Sequence, residues 1–270
     1  RFLIPTSALF GASLLILALL LSAAVLVPWL SPHDYFTPDW DHTELPPQWT
    51  GGHLLGTDEL GRDLLVRLMW SCRISLLVAG VASCISLVIG LAWGVTAGYF
   101  GGRVDSILMR IVDVLYSVPF TPFVIVLTVL FGRDLTLLFI AIGAVSWLDI
   151  ARVTRAQTLG LKEREFIIAA EVAGITPLAI MWRHIVPNLI GITLVCLTLT
   201  IPAVVTTEAF LSYLGLGAQS PLTSLGVMLA DGAAQMRSRP LLLFLPALLL
   251  IALVYCCNRL GDALRDRHGL

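Results

Sequence analysis

Five stretches of this chain stay apolar for about 20 residues each, the length a helix needs to cross a hydrocarbon core of ~30 Å. They are 8–27, 76–97, 111–130, 189–210 and 241–260. A sixth, 135–150, is long enough only if its helix continues past Asp149 into Ala151 and Arg152. The pattern predicts an all-α, polytopic membrane protein of about six transmembrane helices, with both termini on one side. An uncleaved first helix is expected rather than a signal peptide, because 8–27 is long for a signal and more spans follow. The chain opens on Arg1 rather than Met, so residues ahead of it are expected.

Between the spans, one polar insert stands out: EFIIAAEVAGITPLAIMWRHIVPN, residues 165–188. Good helix formers fill 157–173, with Lys162, Glu163, Arg164 and Glu165 clustered. Gly174 supplies the left-handed backbone of a helix end, and Thr176-Pro177 reads as cap and first-turn proline of a second helix. The expected product is a helix-turn-helix bracket. A plain connecting loop is the alternative, yet connections of ~35 residues with helices of their own are uncommon without a role.

Two further loops carry structure. Residues 28–73 are rich in Pro, Trp, Asp and His and lead into GTDELGRD at 56–63. There Thr57 is the expected N-cap, with Asp58 and Glu59 in the first turn of the helix; three carboxylates holding a cation is the alternative. Residues 211–240 are too apolar for a solvated loop and too broken by Gly and Pro for a span, which suits short helices in the interface or over a cavity.

Composition sharpens this picture. The chain is 57% apolar and 13% charged, with mean hydropathy +0.90, whereas soluble domains carry about 25% charged residues. The surplus apolar side chains therefore face lipid. A net charge of −1 excludes the basic surface that a nucleic-acid partner needs. With the N-terminus inside, the inner face holds Arg1, Arg103, Arg110, Arg152, Arg155, Lys162, Arg164, Arg183, Arg259, Arg265 and Arg267. The outer face then holds Arg62, Arg67, Arg73, Arg133, Arg237 and Arg239, so the positive-inside rule places both ends in the cytoplasm.

Candidate chemistry is sparse. Lys162 is the one lysine and follows no phosphate-binding loop, so ATP-driven work must come from a partner. Neither a nucleophile elbow nor an H-E-x-x-H helix occurs. Cys72, Cys84, Cys196, Cys256 and Cys257 lie in or beside apolar segments without metal spacing. His33, His42 and His53 share one loop; they could in principle hold a metal, but their irregular spacing reads as solvated histidines.

Small residues recur every fourth position at Ala82, Ser86, Gly90, Gly94, Gly98 and Gly102, a helix-packing stripe that is also compatible with a sliding face. Asp113, Asp149 and Glu208 lie near predicted helix ends; structural pairing, such as Asp149 with Arg152, is expected rather than a proton relay. Pro119, Pro122, Pro202 and Pro246 are expected to bend or loosen the spans that contain them.

Nearly the whole chain resembles the type I ABC-importer permeases of the peptide/nickel group, and their C-type branch in particular. The resemblance rests on LGTDELGRDLL, GYFGGRVDSILMRIVDV, VSWLDIARVTRAQTLGLKEREFI, RHIVPN, FLSYLGLG, MLADG and NRLGDALRD taken together. The family's coupling motif runs Glu-Ala-Ala, three residues, Gly, nine residues, Ile-x-Leu-Pro. Ala169, Ala170, Gly174 and Pro187 match it. Ile168 replaces the glutamate, His184 takes the isoleucine position as is usual in the peptide branch, and Val186 takes the leucine. Glu165 and Glu171 are the available substitutes for the missing acid, and Asn188 closes the motif.

The resemblance implies a non-catalytic subunit in a bacterial plasma (inner) membrane. It would hold no cofactor itself, with ATP and magnesium on two partner ATPase subunits. Its other partners would be membrane lipid, a homologous permease and an extracytoplasmic peptide-binding protein. It also implies an N-terminal helix and outer loop over 1–70, a permease domain over 71–262 with a cytoplasmic coupling loop at about 153–187, and a tail at 263–270. A secondary transporter would instead show an inverted repeat with midplane charges, which the sequence lacks. A scaffold or channel subunit has no use for so long a helical insert.

Overall fold

The computed structural model describes residues 6–48, 52–132 and 134–268; Arg1, Arg133 and Leu270 lie outside them. Helices account for most of the described chain: α1 (Thr6–Leu30), α2 (Leu64–Phe100), α3 (Gly102–Ser117), α4 (Phe120–Phe131), α5 (Leu135–Lys162), α6 (Glu165–Val172), α7 (Pro177–Ile180), α8 (Val186–Tyr213), α9 (Leu225–Ala234) and α10 (Leu241–His268). A π-helical turn, Met181–Ile185, joins α7 to α8 without a break, so Pro177–Tyr213 forms one rod of 37 residues. No strand occurs among the described residues.

The apolar runs became long helices, with two departures. α2 begins at Leu64 rather than 76, because Asp63, not Thr57, is its N-cap: the Asp63 carboxylate accepts from the Val66 N–H at 2.9 Å. The run 111–130 is not one straight span. It breaks at Val118 and Pro119 into α3 and α4, which meet at an 80° bend. Proline cannot continue the donor ladder and biases the residue before it to extended backbone; Val118 is extended accordingly. Pro119 thus caps α4, and Pro122 sits harmlessly in its first turn. Pro202 and Pro246 do lie inside helices, α8 and α10. Helix α5 continues past Asp149 as the short run 135–150 required.

α2 is the axis of the bundle. Its side chains Leu68, Cys72, Val78, Ala79 and Ala82 are buried with Ala141 and Ile142 of α5, Val204 and Val205 of α8, Leu225 and Met228 of α9, and Leu249 and Leu253 of α10. Lower along the helix, the glycine positions let α5 approach its backbone. A Cβ at Gly90 would lie 2.7 Å from Ile150 Cβ, and one at Gly98 2.7 Å from Thr158 Cβ. At Gly94 it would collide with Thr154 Oγ1 and Ala151 O. The close approach lets Thr154 Oγ1 donate to Gly90 O across the interface at 3.0 Å. Ala82 and Ser86 are fully buried on the same face. The stripe therefore lies along the α2–α5 contact. Gly102 falls outside it, at the start of α3 with open space around it.

The outward faces stay apolar. Leu15, Leu19 and Leu26 on α1, Val88 on α2, Val129 on α4, and Leu248 and Ile251 on α10 are all exposed. A belt of this kind in so weakly charged a chain is what contact with lipid tails selects.

Candidate functional site

The insert at 165–188 folds as the bracket expected from its residues. α5 ends at Lys162, and Glu163 and Arg164 turn the chain into α6. α6 closes with a paired cap: the Gly174 N–H donates to Glu171 O at 3.0 Å, and the Ile175 N–H donates to Ala170 O at 3.1 Å. That pattern requires a left-handed residue at its centre, and Gly174 has φ +76°. Thr176 is extended, and Pro177 opens α7 where its missing N–H costs nothing. Residues 157–173 are not one helix, however, because the chain turns at Glu163.

Two faces of the bracket differ. The inner face buries Ile167, Ala170, Ile180, Met181 and Ile185 against Val95 and Tyr99 near the end of α2, with Leu189 of α8. Polar contacts tie the same place: Tyr99 Oη donates to Glu171 Oε1 at 3.0 Å, and Lys162 Nζ donates to the Tyr99 carbonyl at 2.7 Å. The outer face leaves Phe166, Ile168, Val172, Leu178 and Trp182 exposed, Val172 at 85%. Large apolar side chains left exposed on a charged segment are candidates for a protein contact.

The expected site residues divide between these faces. Glu165 is exposed in the first turn of α6, and Asn188 is exposed at the start of α8. Both line one hollow with Phe166 and Arg164, so positions far apart in sequence meet between the limbs of the bracket. Ala169 and Gly174 lie on the exposed side, whereas Ala170 is buried as an anchor. Pro187 is exposed, His184 is half-buried, and Asn188 Nδ2 donates to the His184 carbonyl at 2.6 Å. Glu171 is engaged within the subunit by Tyr99, which leaves Glu165 as the bracket acid free of that tie.

Tyr99 and the outer apolar set were not among the residues expected from sequence. The signal was present as helical spacing: on α6, Ile167 and Ala170 (i, i+3) are buried, while Ile168 and Val172 (i, i+4) fall on the opposite side and are exposed.

Other expected sites resolve differently. Arg152 pairs with Asp113 on α3 at 2.8 Å rather than with Asp149, which is exposed. Beside it, Arg155 Nη2 donates to Asp105 Oδ2 at 2.6 Å, so α5 holds α3 by two ion pairs. Glu208 is fully buried, not at a solvated helix end. It accepts hydrogen bonds from Ser75 Oγ at 2.6 Å and Ser212 Oγ at 2.7 Å. In GTDELGRD, Asp58 does not serve a helix dipole. It accepts from the Leu60 and Arg62 N–H groups at 2.9 Å each and pairs with Arg62 and Arg67, making a folded plug. The Thr57 hydroxyl donates to the His42 carbonyl at 2.6 Å within it.

A helical bundle on a long central helix, with an anchored bracket between helices long and apolar enough to cross a membrane, defines a polytopic membrane protein. Residues 90–268 match the family of binding-protein-dependent transport system inner membrane components, and residues 7–47 match the N-terminal TM domain of oligopeptide transport permease C. The chain belongs to this family of ABC-importer permeases, whose members are non-catalytic membrane subunits.

Particular relatives agree over almost the full length. The oligopeptide transport system permease protein OppC of Haemophilus influenzae is 46% identical over 255 residues, covering 94% of this chain and 82% of that protein. Its Escherichia coli K12 counterpart is 47% identical, with 94% and 84% covered. The dipeptide transport system permease protein DppC of Bacillus subtilis is 42% identical over 256 residues, with 94% and 79% covered.

Proposed function

We propose that this chain carries peptides across a bacterial plasma membrane as one of two homologous permeases, driven by two ATPase subunits and fed by an extracytoplasmic binding protein. The observation that carries the reading is the bracket: an apolar outer face mounted rigidly on the central helix. The peptide substrate is supported by relatives at 42–47% identity whose names specify oligopeptide or dipeptide transport. ATP and magnesium would sit on the ATPase partners. The division into a helix-and-loop segment over 1–70, a permease domain over 71–262 and a tail at 263–270 belongs to the same reading.

In this mechanism both termini and the bracket face the cytoplasm, and the 28–73 and 211–240 loops face outside. An ATPase docks on Phe166, Ile168, Val172, Leu178 and Trp182, with Glu165 and Asn188 beside the hollow. When ATP closes the ATPase pair, the displaced bracket pulls α2 through Tyr99, Val95 and the α2–α5 seam. Driving such a switch from 1:99 to 99:1 requires one state to be favoured about 10⁴-fold, ~5.5 kcal/mol. A loose bracket would dissipate that difference, which is why the inner face is packed and hydrogen-bonded.

The test is ATPase activity copurified with the chain from detergent, with Gly174→Trp alongside. A Cβ at Gly174 meets open space, so the variant acts through its positive φ and the docking surface, not a clash. Activity that copurifies and loses substrate stimulation in the variant supports the reading. Normal stimulated turnover in Gly174→Trp would sink the bracket assignment, and no bound ATPase would favour a secondary transporter.

A further inference from the structure

The loop between α1 and α2 gathers chemistry that transport does not use. Of its three histidines, His42 is exposed as expected from the spacing, but His33 is half-buried and His53 is buried. His53 is 4% exposed and Asp63 3%, and His53 Nδ1 lies 2.9 Å from Asp63 Oδ2. The half-buried His33 ring lies over His53, with centroids 4.3 Å apart and 31° between planes. One ligating atom from each of His33, His53 and Asp63 falls within 4.8 Å of the others.

The arrangement is preset on one side. Asp63 Oδ1 is committed to the α2 cap through the Val66 N–H, which leaves Oδ2 aimed at His53. The His33 backbone is fixed by its N–H to Ser31 Oγ at 3.1 Å, while its ring takes part in no hydrogen bond among the described residues. Ligands at 2.0–2.2 Å from a tetrahedral zinc-class ion stand about 3.3–3.6 Å apart. The His53–Asp63 pair, at 2.9 Å, has to open by about half an ångström, and His33 has to swing inward. Two imidazoles with one carboxylate suit zinc-class ions and not calcium or magnesium, which take oxygen ligands.

We propose that this loop binds one divalent transition-metal ion of the zinc class through His33, His53 and Asp63. The ion takes the place of the proton shared by His53 Nδ1 and Asp63 Oδ2, and that proton leaves to solvent. Its fourth position faces the cleft of about 630 Å³ that these residues border with Pro32, Asp39 and Trp40. Because Asp63 caps α2, the ion clamps the loop to the first turn of the central helix.

The experiment uses the full chain in detergent, stripped by chelator and titrated with Co²⁺ alone while visible absorption is followed, then with Zn²⁺. One equivalent of Co²⁺ with the intense bands of a tetrahedral site, erased by Zn²⁺, is the expected result. His33→Asn, which alters a half-buried loop ring, lowers the affinity by at least about tenfold. Asp63→Asn keeps the capping oxygen and shows the same loss, while His184→Gln in the bracket shows none. No saturable uptake by the unmodified chain, or equal affinity in His33→Asn, overturns the proposal.

Discussion

Val172→Asp separates docking from folding at the bracket. Val172 ends α6 with 85% of its surface exposed, so the side chain contributes almost nothing to the stability of the isolated subunit. Surface changes away from caps and cores stay within about 0.5 kcal/mol. In a complex, a valine buried at the centre of an apolar contact is worth roughly 1.5–3 kcal/mol, and a carboxylate forced into that contact adds a desolvation cost of its own. The expected loss is at least about 2 kcal/mol of docking energy, or roughly thirtyfold in ATPase affinity at 1.4 kcal/mol per factor of ten. The assay is binding of the purified ATPase to the permease in nanodiscs, with thermal unfolding of the permease alone as control. Weakened binding with unchanged unfolding is the expected pair of results. Unchanged affinity would refute the claim that the exposed apolar face is the docking surface.

Four further outcomes are expected. Gly94→Val forces α2 from α5 at Thr154 and Ala151, and costs about 2–4 kcal/mol from overpacking and the strained Thr154–Gly90 bond; thermal unfolding in detergent reads it. Tyr99→Phe removes the Glu171 tie for about 0.5–1.5 kcal/mol; it leaves ATPase binding intact and lowers transport per ATP hydrolysed, and unchanged coupling would show that the tie transmits nothing. Glu208→Ala strands two buried hydroxyls beside a cavity and costs about 2–5 kcal/mol in the same unfolding assay. Cysteines at Lys162 and Leu270 react with an impermeant thiol reagent only from the cytoplasm, and those at His42 and Ser220 only from outside; the reverse pattern overturns the topology.

How far the sequence could be read depends on the range of the forces involved. Gly174 and Thr176-Pro177 were legible because backbone conformation and a missing N–H are local matters, settled within a turn of helix. The packing stripe at Gly90, Gly94 and Gly98 was legible for a similar reason: its period fixes the face, though only the structure shows that α5 occupies it. Pairings across the fold were not legible. Arg152 has Asp149 one turn away yet reaches Asp113, 39 residues distant, because the α3–α5 approach decides which carboxylate it meets. His53 misled for the same reason, since spacing along a loop says nothing of burial once Thr57, Asp58 and Asp63 fold that loop on itself.

These long-range pairings also suggest why the bracket can act as a lever. Its inner face meets α2 just where the α2 glycines let Ile150, Thr154 and Thr158 of α5 rest on the α2 backbone, and α5 pairs with α3 through Arg152–Asp113 and Arg155–Asp105. A close backbone contact of this kind deforms little, so on the proposed mechanism force applied at Ile167 or Ile180 would move α2 and α5 as one body. On the proposed mechanism, the 80° bend between α3 and α4 at Pro119 would be the joint beyond that body. Stiffness near the bracket and a joint past the seam are what the proposed mechanism requires if closure of an outside partner is to become movement within the membrane.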